Sequence, residues 1–349
     1  MSKKLFGKVF IFLLVVGLLF AVAPTKQVLA QTAGVNPSIQ AAADRIVGLQ
    51  RADGGWGWPL TYPEPDPSAM NILAPIGKAL AEAYRYTNDP DHLNALQKAG
   101  VLFLTKSVFT ATDYEFAQKL DAIFGGTTYT TFVKTNFYDK LAAGTYYSST
   151  GGPYTTQQYV DVMRAKRAGT QANMAAWDLG MSVASAVSAG VTNPDLGYWI
   201  AGLEAEINEL YGGADQTNYL AYDVIGLAGA VYGLAVANVD FDPIAGEHAA
   251  ATSTADLAAI LASYQIDGGG FAWNKWWVIP NDFDEDMQAT SYAILALNTF
   301  NRSLYLDKIQ GAAEYALGIQ LSNGGWYTDE FYDERSEEHT SELQSPNTI

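Results

Sequence analysis

An all-α fold of repeated helical hairpins is predicted by three observations. A short signature occurs three times, at Gln50, Gly54, Gly55 and Trp56, at Gln265, Gly269, Gly270 and Phe271, and at Gln320, Gly324, Gly325 and Trp326. Each copy has Gln, Gly four residues on and an aromatic two beyond that, which marks a repeat architecture. Each also closes a segment with apolar residues at helical spacing, such as Ala43, Ile46 and Val47 ahead of Gln50. Finally, segments such as 221–235 are apolar all round, as a helix inside a core must be.

The elements follow in order. Paired helices are expected over 38–50 with 67–86, 90–107 with 112–124, a blurred pair ending in 173–190, 196–211 with 217–237, and 253–265 with 286–300. A last helix, 306–320, stands without a partner, so the face beside it is expected to be open. Between 125 and 169 the rhythm breaks into a Tyr-rich insertion that includes Tyr129, Tyr138, Tyr146, Tyr147, Tyr154 and Tyr159. It reads either as a lid over a binding mouth or as an irregular hairpin covering core. In each signature the glycines are expected to take positive φ and stop the preceding helix. The aromatic is expected to fold back on a neighbouring helix.

The signature resembles the QW motif of the terpenoid cyclase and protein prenyltransferase superfamily. That resemblance implies an α/α toroid of six outer and six inner helices, the last hairpin truncated here. In such a toroid the inner helices run parallel, and their N-termini gather around a central cavity.

The two ends read differently from the domain at 31–334. Residues 1–30 have the form of a secretory signal: Lys3, Lys4 and Lys8 precede an apolar run, and Val28, Leu29 and Ala30 offer small residues for cleavage. A secreted or extracytoplasmic location follows, with membrane contact only through an uncleaved leader. Residues 335–349 resemble translated sequencing adapter and are read as a non-native tail.

The 349-residue chain has no cysteine, which excludes disulfides, thiolate catalysis and thiolate metal ligands. A formal net charge of −17 argues against nucleic acid as a partner.

Candidate chemistry gathers on acids and aromatics. Asp178 and Asp223 are isolated carboxylates within apolar segments and are candidate catalytic groups. Asp284 lies in the acidic run Asp282, Asp284, Glu285 and Asp286, which follows Trp273, Trp276 and Trp277. A comparable loop carries Trp58, Tyr62 and Asp66. Trp58, Tyr62, Asp66, Trp276, Trp277 and Asp286 are read as substrate-binding, because aromatic faces beside carboxylates suit stacked sugar rings. Asp66 and Asp286 also read as helix caps, the reading that their place at helix starts favours. Asp282, Asp284 and Asp286 alternate as in a calcium loop, but Met287 stands where that loop needs glycine. No metal is assigned; a looser calcium site there is the open alternative.

Among the activities that the resemblance implies, zinc-dependent prenyl transfer and thioester chemistry both require the missing cysteine. A class II terpene cyclase would use Asp284 as proton donor, although Glu285 stands where that family's motif has Asp. Secretion and the aromatic, acidic mouth favour a polysaccharide ligand. Cleavage would proceed by elimination, with Tyr62, Lys275, Arg164 or Arg167 taking part, or by hydrolysis on Asp178 and Asp223. Binding without catalysis is the other reading.

Overall fold

The computed structural model describes residues 35–57, 67–110, 112–149, 151–166, 173–211, 223–272 and 287–326. These residues form thirteen α-helices, one π-helical turn and one two-stranded sheet. The long helices are α1 (Val35–Gly48), α2 (Leu73–Thr87), α3 (Pro90–Phe103) and α4 (Thr112–Phe124). The inserted segment holds α5 (Thr128–Val133), a π-turn (Lys134–Tyr138), α6 (Asp139–Ala142), strands β1 (Tyr146–Ser148) and β2 (Gly151–Tyr154), and α7 (Thr156–Lys166). Then come α8 (Asn173–Ser188), α9 (Asp195–Glu209), α10 (Asp223–Ala237), α11 (Thr254–Ser263), α12 (Met287–Asn301) and α13 (Leu306–Gly318). No helix among the described residues is long and apolar enough to cross a membrane.

Local chemistry explains several boundaries. Asp89 caps α3 by accepting from Asp91 N at 2.8 Å, with Pro90 as the first helical residue. Ser253 caps α11 through Asp256 N. Asn88 ends α2 in the left-handed region at φ 51°.

The helices pack as two series. In one, α2 packs on α4, α4 on α8, α8 on α10 and α10 on α12. The other helices lie against these: α1 and α3 on α2, α9 on α8, α11 on α10 and α12, and α13 on α12. The closest approach is between α8 and α10. A Cβ on Gly226 would lie 2.6 Å from Asn173 O, one on Gly229 2.5 Å from Trp177 Cα, and one on Gly233 2.6 Å from Gly180 Cα. The register rises together on both helices, so they run parallel. Most residues of each are buried, which accounts for their lack of a polar face.

The three signatures have one geometry. Gln50 Nε2 donates to Gly54 O at 2.9 Å and to Ala95 O of α3 at 2.8 Å. Gln265 Nε2 donates to Gly269 O and to Lys308 O of α13, both at 2.7 Å. Gln320 Nε2 donates to Gly324 O and to Ser38 O of α1, both at 3.0 Å. The glycine then packs three residues further along the same helix. A Cβ there would lie 2.6 Å from Lys98 O for Gly54 and 2.5 Å from Gly311 O for Gly269, and would collide with Ala41 O for Gly324.

Three sequence expectations are corrected here. The first glycine of each pair does have positive φ, 95° at Gly54, 101° at Gly269 and 89° at Gly324. They do not stop the helices, however, which end two residues before each Gln. Their role is to let a tight loop touch the backbone of the next helix. The tryptophans fold back on their own helix, not a neighbour: Trp56 Nε1 donates to Ile46 O and Trp326 Nε1 to Ala316 O, each at 2.8 Å. Nor is the end of the 306–320 helix open, since its signature is docked on α1.

Trp56 is fully buried, whereas Trp326 is only half-buried. Replacing Trp56 by Phe removes the donor and leaves the Ile46 carbonyl buried, so a loss of about 1–2 kcal/mol is expected. Trp326→Phe should lose less. Urea unfolding of the two variants checks the order.

The Tyr-rich insertion covers core. Phe137, Tyr146, Tyr159 and Trp199 form successive edge-to-face contacts with centroids 5.1–5.9 Å apart. Tyr138, Tyr146 and Tyr159 are buried, and only Tyr147 is well exposed. Burial pushes the Tyr146 hydroxyl up to about 12, despite its bond from Phe109 N. These rings are occupied in packing rather than turned toward a ligand.

Candidate functional site

A cavity of about 910 Å³ lies among α2, α4, α10 and α12, with Ile46 of α1 and Ser188 of α8 at its edge. It is built on the contact of α2 with α4, where the Phe116 ring fills the space that Gly77 leaves open. That approach brings side chains one helical turn apart into two matching ion pairs. Lys78 meets Glu115 at 2.5 Å, and Lys119 meets Glu82, so the two helices are cross-linked in parallel register. Arg85 reaches Glu82 at 2.9 Å. From α10, Tyr232 Oη donates to Glu115 Oε1 at 3.2 Å. From α12, Tyr292 lines the wall with its ring edge-on to Trp177, 5.1 Å away.

The electrostatics differ from those of the whole chain. Three basic and two acidic side chains are among the described residues lining the cavity, in a protein of net charge −17. Burial alone would raise the Glu82 carboxyl, but Lys119 and Arg85 outweigh it and hold Glu82 below the ordinary glutamate range. Burial, reinforced by the Glu115 charge, pushes the Tyr232 hydroxyl far up. Glu82 is therefore ionised at neutral pH and Tyr232 is protonated. They accept and donate hydrogen bonds there in fixed roles.

The acids singled out from sequence lie elsewhere. Asp178 and Asp223 are both buried, and neither is among the residues that line this cavity. Asp178 is the sixth residue of α8 and its charge acts on Tyr159 of α7. Asp223 is the first described residue of α10 and acts on Tyr264, at the end of α11. From the α8–α10 register, Asp178 is level with residues seven to eight positions beyond Asp223. At 1.5 Å per residue the two backbones are offset by roughly 11 Å along the helices. Arg164 is held by Glu206 at 2.5 Å and Glu209 at 2.8 Å, so it supports α9 instead of a site. Trp58, Tyr62, Asp66, Trp276, Trp277, Asp282, Asp284 and Asp286 lie outside the described residues, as do Lys275 and Arg167.

Sequence reasoning missed the cavity's own polar groups. The signal was there in the spacing of Lys78, Glu82 and Arg85 on α2 and of Glu115, Gln118 and Lys119 on α4. Polar residues at helical spacing on a helix that should face inward indicate a wet interior. A second polar constellation, Asp44, Asp89 and His92, joins α1 to α3. No family model and no curated protein matches the chain.

Proposed function

We propose that the hairpins close into an α/α toroid whose central cavity binds a hydroxyl-rich ligand, a segment of a glycan chain, outside the cytoplasm. Closure is supported by the third signature, which docks on α1 as the first docks on α3. The observation that carries the ligand class is the cavity wall. There Lys78, Glu82, Glu115, Gln118 and Lys119 present donors and acceptors on rigid helices, with Tyr232 and Tyr292 as aromatic surfaces. Sugars need both kinds of contact.

Binding is favoured over cleavage by the protonation states. A hydrolase needs a protonated carboxyl as general acid, and Glu82 is held ionised. A lyase using tyrosine as base needs its hydroxyl drawn down, and that of Tyr232 is pushed up. Cyclisation of a polyene is disfavoured too, because Lys78, Arg85 and Lys119 would repel a carbocation.

The test is a glycan array followed by calorimetry on the best binder. Replacing both members of one ion pair, Lys78→Ala with Glu115→Ala, leaves no uncompensated charge. The double variant is expected to fold and to bind at least about tenfold more weakly, a change of about 1.4 kcal/mol. No glycan bound by the wild-type protein, or unchanged affinity in the folded variant, would overturn the reading.

A further inference from the structure

We infer that Asp44, Asp89 and His92 form a binding site for a divalent transition-metal ion that ties α1 to α3. Three elements converge there. His92 is the third residue of α3 and Asp89 is its N-cap, a spacing that places both over one side of the first turn. Asp44 approaches from the last turns of α1, on the helix that carries Gln40 four residues earlier. One ligand atom from each of the three lies within 4.8 Å of the others, and His92 Nε2 is 2.9 Å from Asp44 Oδ1.

The imidazole carries the argument beyond a group of surface acids. Its side chain is fully buried, and Thr87 Oγ1 sits 2.9 Å from Nδ1. One ring nitrogen is thus engaged by the Thr87 oxygen and the other by the Asp44 carboxylate, with Asp89 completing the cluster. This is how imidazole ligands are oriented in metal sites. In capping α3, Asp89 Oδ1 accepts from Asp91 N at 2.8 Å. Asp89 Oδ2 is turned toward Gln40 Nε2, which also donates to Asp44 Oδ1 at 2.7 Å, so that two like charges are held side by side. A cation between them relieves that repulsion. Asp44 is 57% exposed, which leaves a route from solvent and room for water as a further ligand. One imidazole with two carboxylates suits zinc and its neighbours better than calcium or magnesium, which take all-oxygen shells. The site is distinct from the proposed glycan cavity and stands or falls separately.

The experiment is calorimetric titration of the full chain, made without a polyhistidine tag and freed of metal by chelation, with zinc chloride. One equivalent of zinc is expected to bind, with calcium at tenfold excess failing to displace it. Asp44→Asn and Asp89→Asn, each checked for folding by circular dichroism, should bind that equivalent about 10–100-fold more weakly. Asp44 is exposed, so its substitution tests ligation without disturbing the core; His92→Gln is the supporting variant. No saturable zinc binding by the wild-type protein, or the same affinity in both asparagine variants, would show that the cluster is only a hydrogen-bonded joint between α1 and α3.

Discussion

Replacing Lys106 by alanine is expected to destabilise the protein by about 3–5 kcal/mol. Lys106 lies in the connection between α3 and α4 and is almost fully buried. Its Nζ donates to Asp113 Oδ1 at 2.8 Å and to Met70 O at 2.9 Å. Asp113 is wholly buried in the first turn of α4, and its other oxygen accepts from Thr110 N at 2.5 Å. Burial already pushes the Asp113 carboxyl up, more than Lys106 pulls it down. Without the ammonium, that carboxyl must either stay charged in an apolar setting or take up a proton, and both are unfavourable. The double variant Lys106→Met with Asp113→Leu removes both charges and should lie within about 1–2 kcal/mol of wild type, on either side. Urea unfolding of wild type, Lys106→Met, Asp113→Leu and the double variant gives the coupling. A single Lys106 variant as stable as wild type would show that the pair does not hold the α3–α4 connection.

The second large effect is a loss of stability in mild acid that comes from His248. This side chain is 3% exposed, and burial depresses its pKa from 6.5 to about 4. As pH falls below the unfolded value, the unfolded chain takes up a proton that the native chain refuses. Stability is therefore present in full above about pH 6.5 and is lost progressively as pH falls toward 4. A shift of that size corresponds to roughly 3 kcal/mol over the window. Asp53, Glu82, Asp89 and Asp256, all held low, contribute in the same direction but mainly at more acid pH. Comparing wild type with His248→Leu between pH 7 and 4 isolates the imidazole. Parallel stability profiles would exclude it as the source.

The helices were legible because their apolar spacing is periodic, and every helix expected outside the blurred pair has its counterpart among α1–α4 and α9–α13. The glycine-aromatic signature was legible as a repeat, but its mechanics were not. A positive φ is compatible with both a helix stop and a close backbone approach, and only the position of the Lys98, Gly311 and Ala41 carbonyls distinguishes them. Likewise, no spacing rule tells whether an indole bonds to its own helix or the next one. The cavity is not legible from α8 and α10, which are buried over most of their length and do not resemble the other inward helices. In fact α2 and α4 are amphipathic, with polar faces toward the cavity and the Gly77–Phe116 contact between them. Asp178 and Asp223 stood out because an acid in an apolar segment is conspicuous, yet conspicuousness along the chain carries no information about distance. The α8–α10 register supplied that.

Docking the third signature on Ser38 and Ala41 has a consequence for how the molecule comes apart. A linear solenoid frays from its outermost repeats, and natural ones carry special end units to prevent this. Here the last repeat is clasped by the first helix through the same glutamine and glycine contacts that hold interior neighbours. Opening at α13 therefore also uncovers α1. Amide exchange at the two sequence extremes of the described segment should rise and fall together, as within one cooperative unit, and loosening either should expose the other. If the ring closes as proposed, a chain reconnected between those extremes and cut at the 189–194 turn is expected to fold, because the order of packing partners would be unchanged.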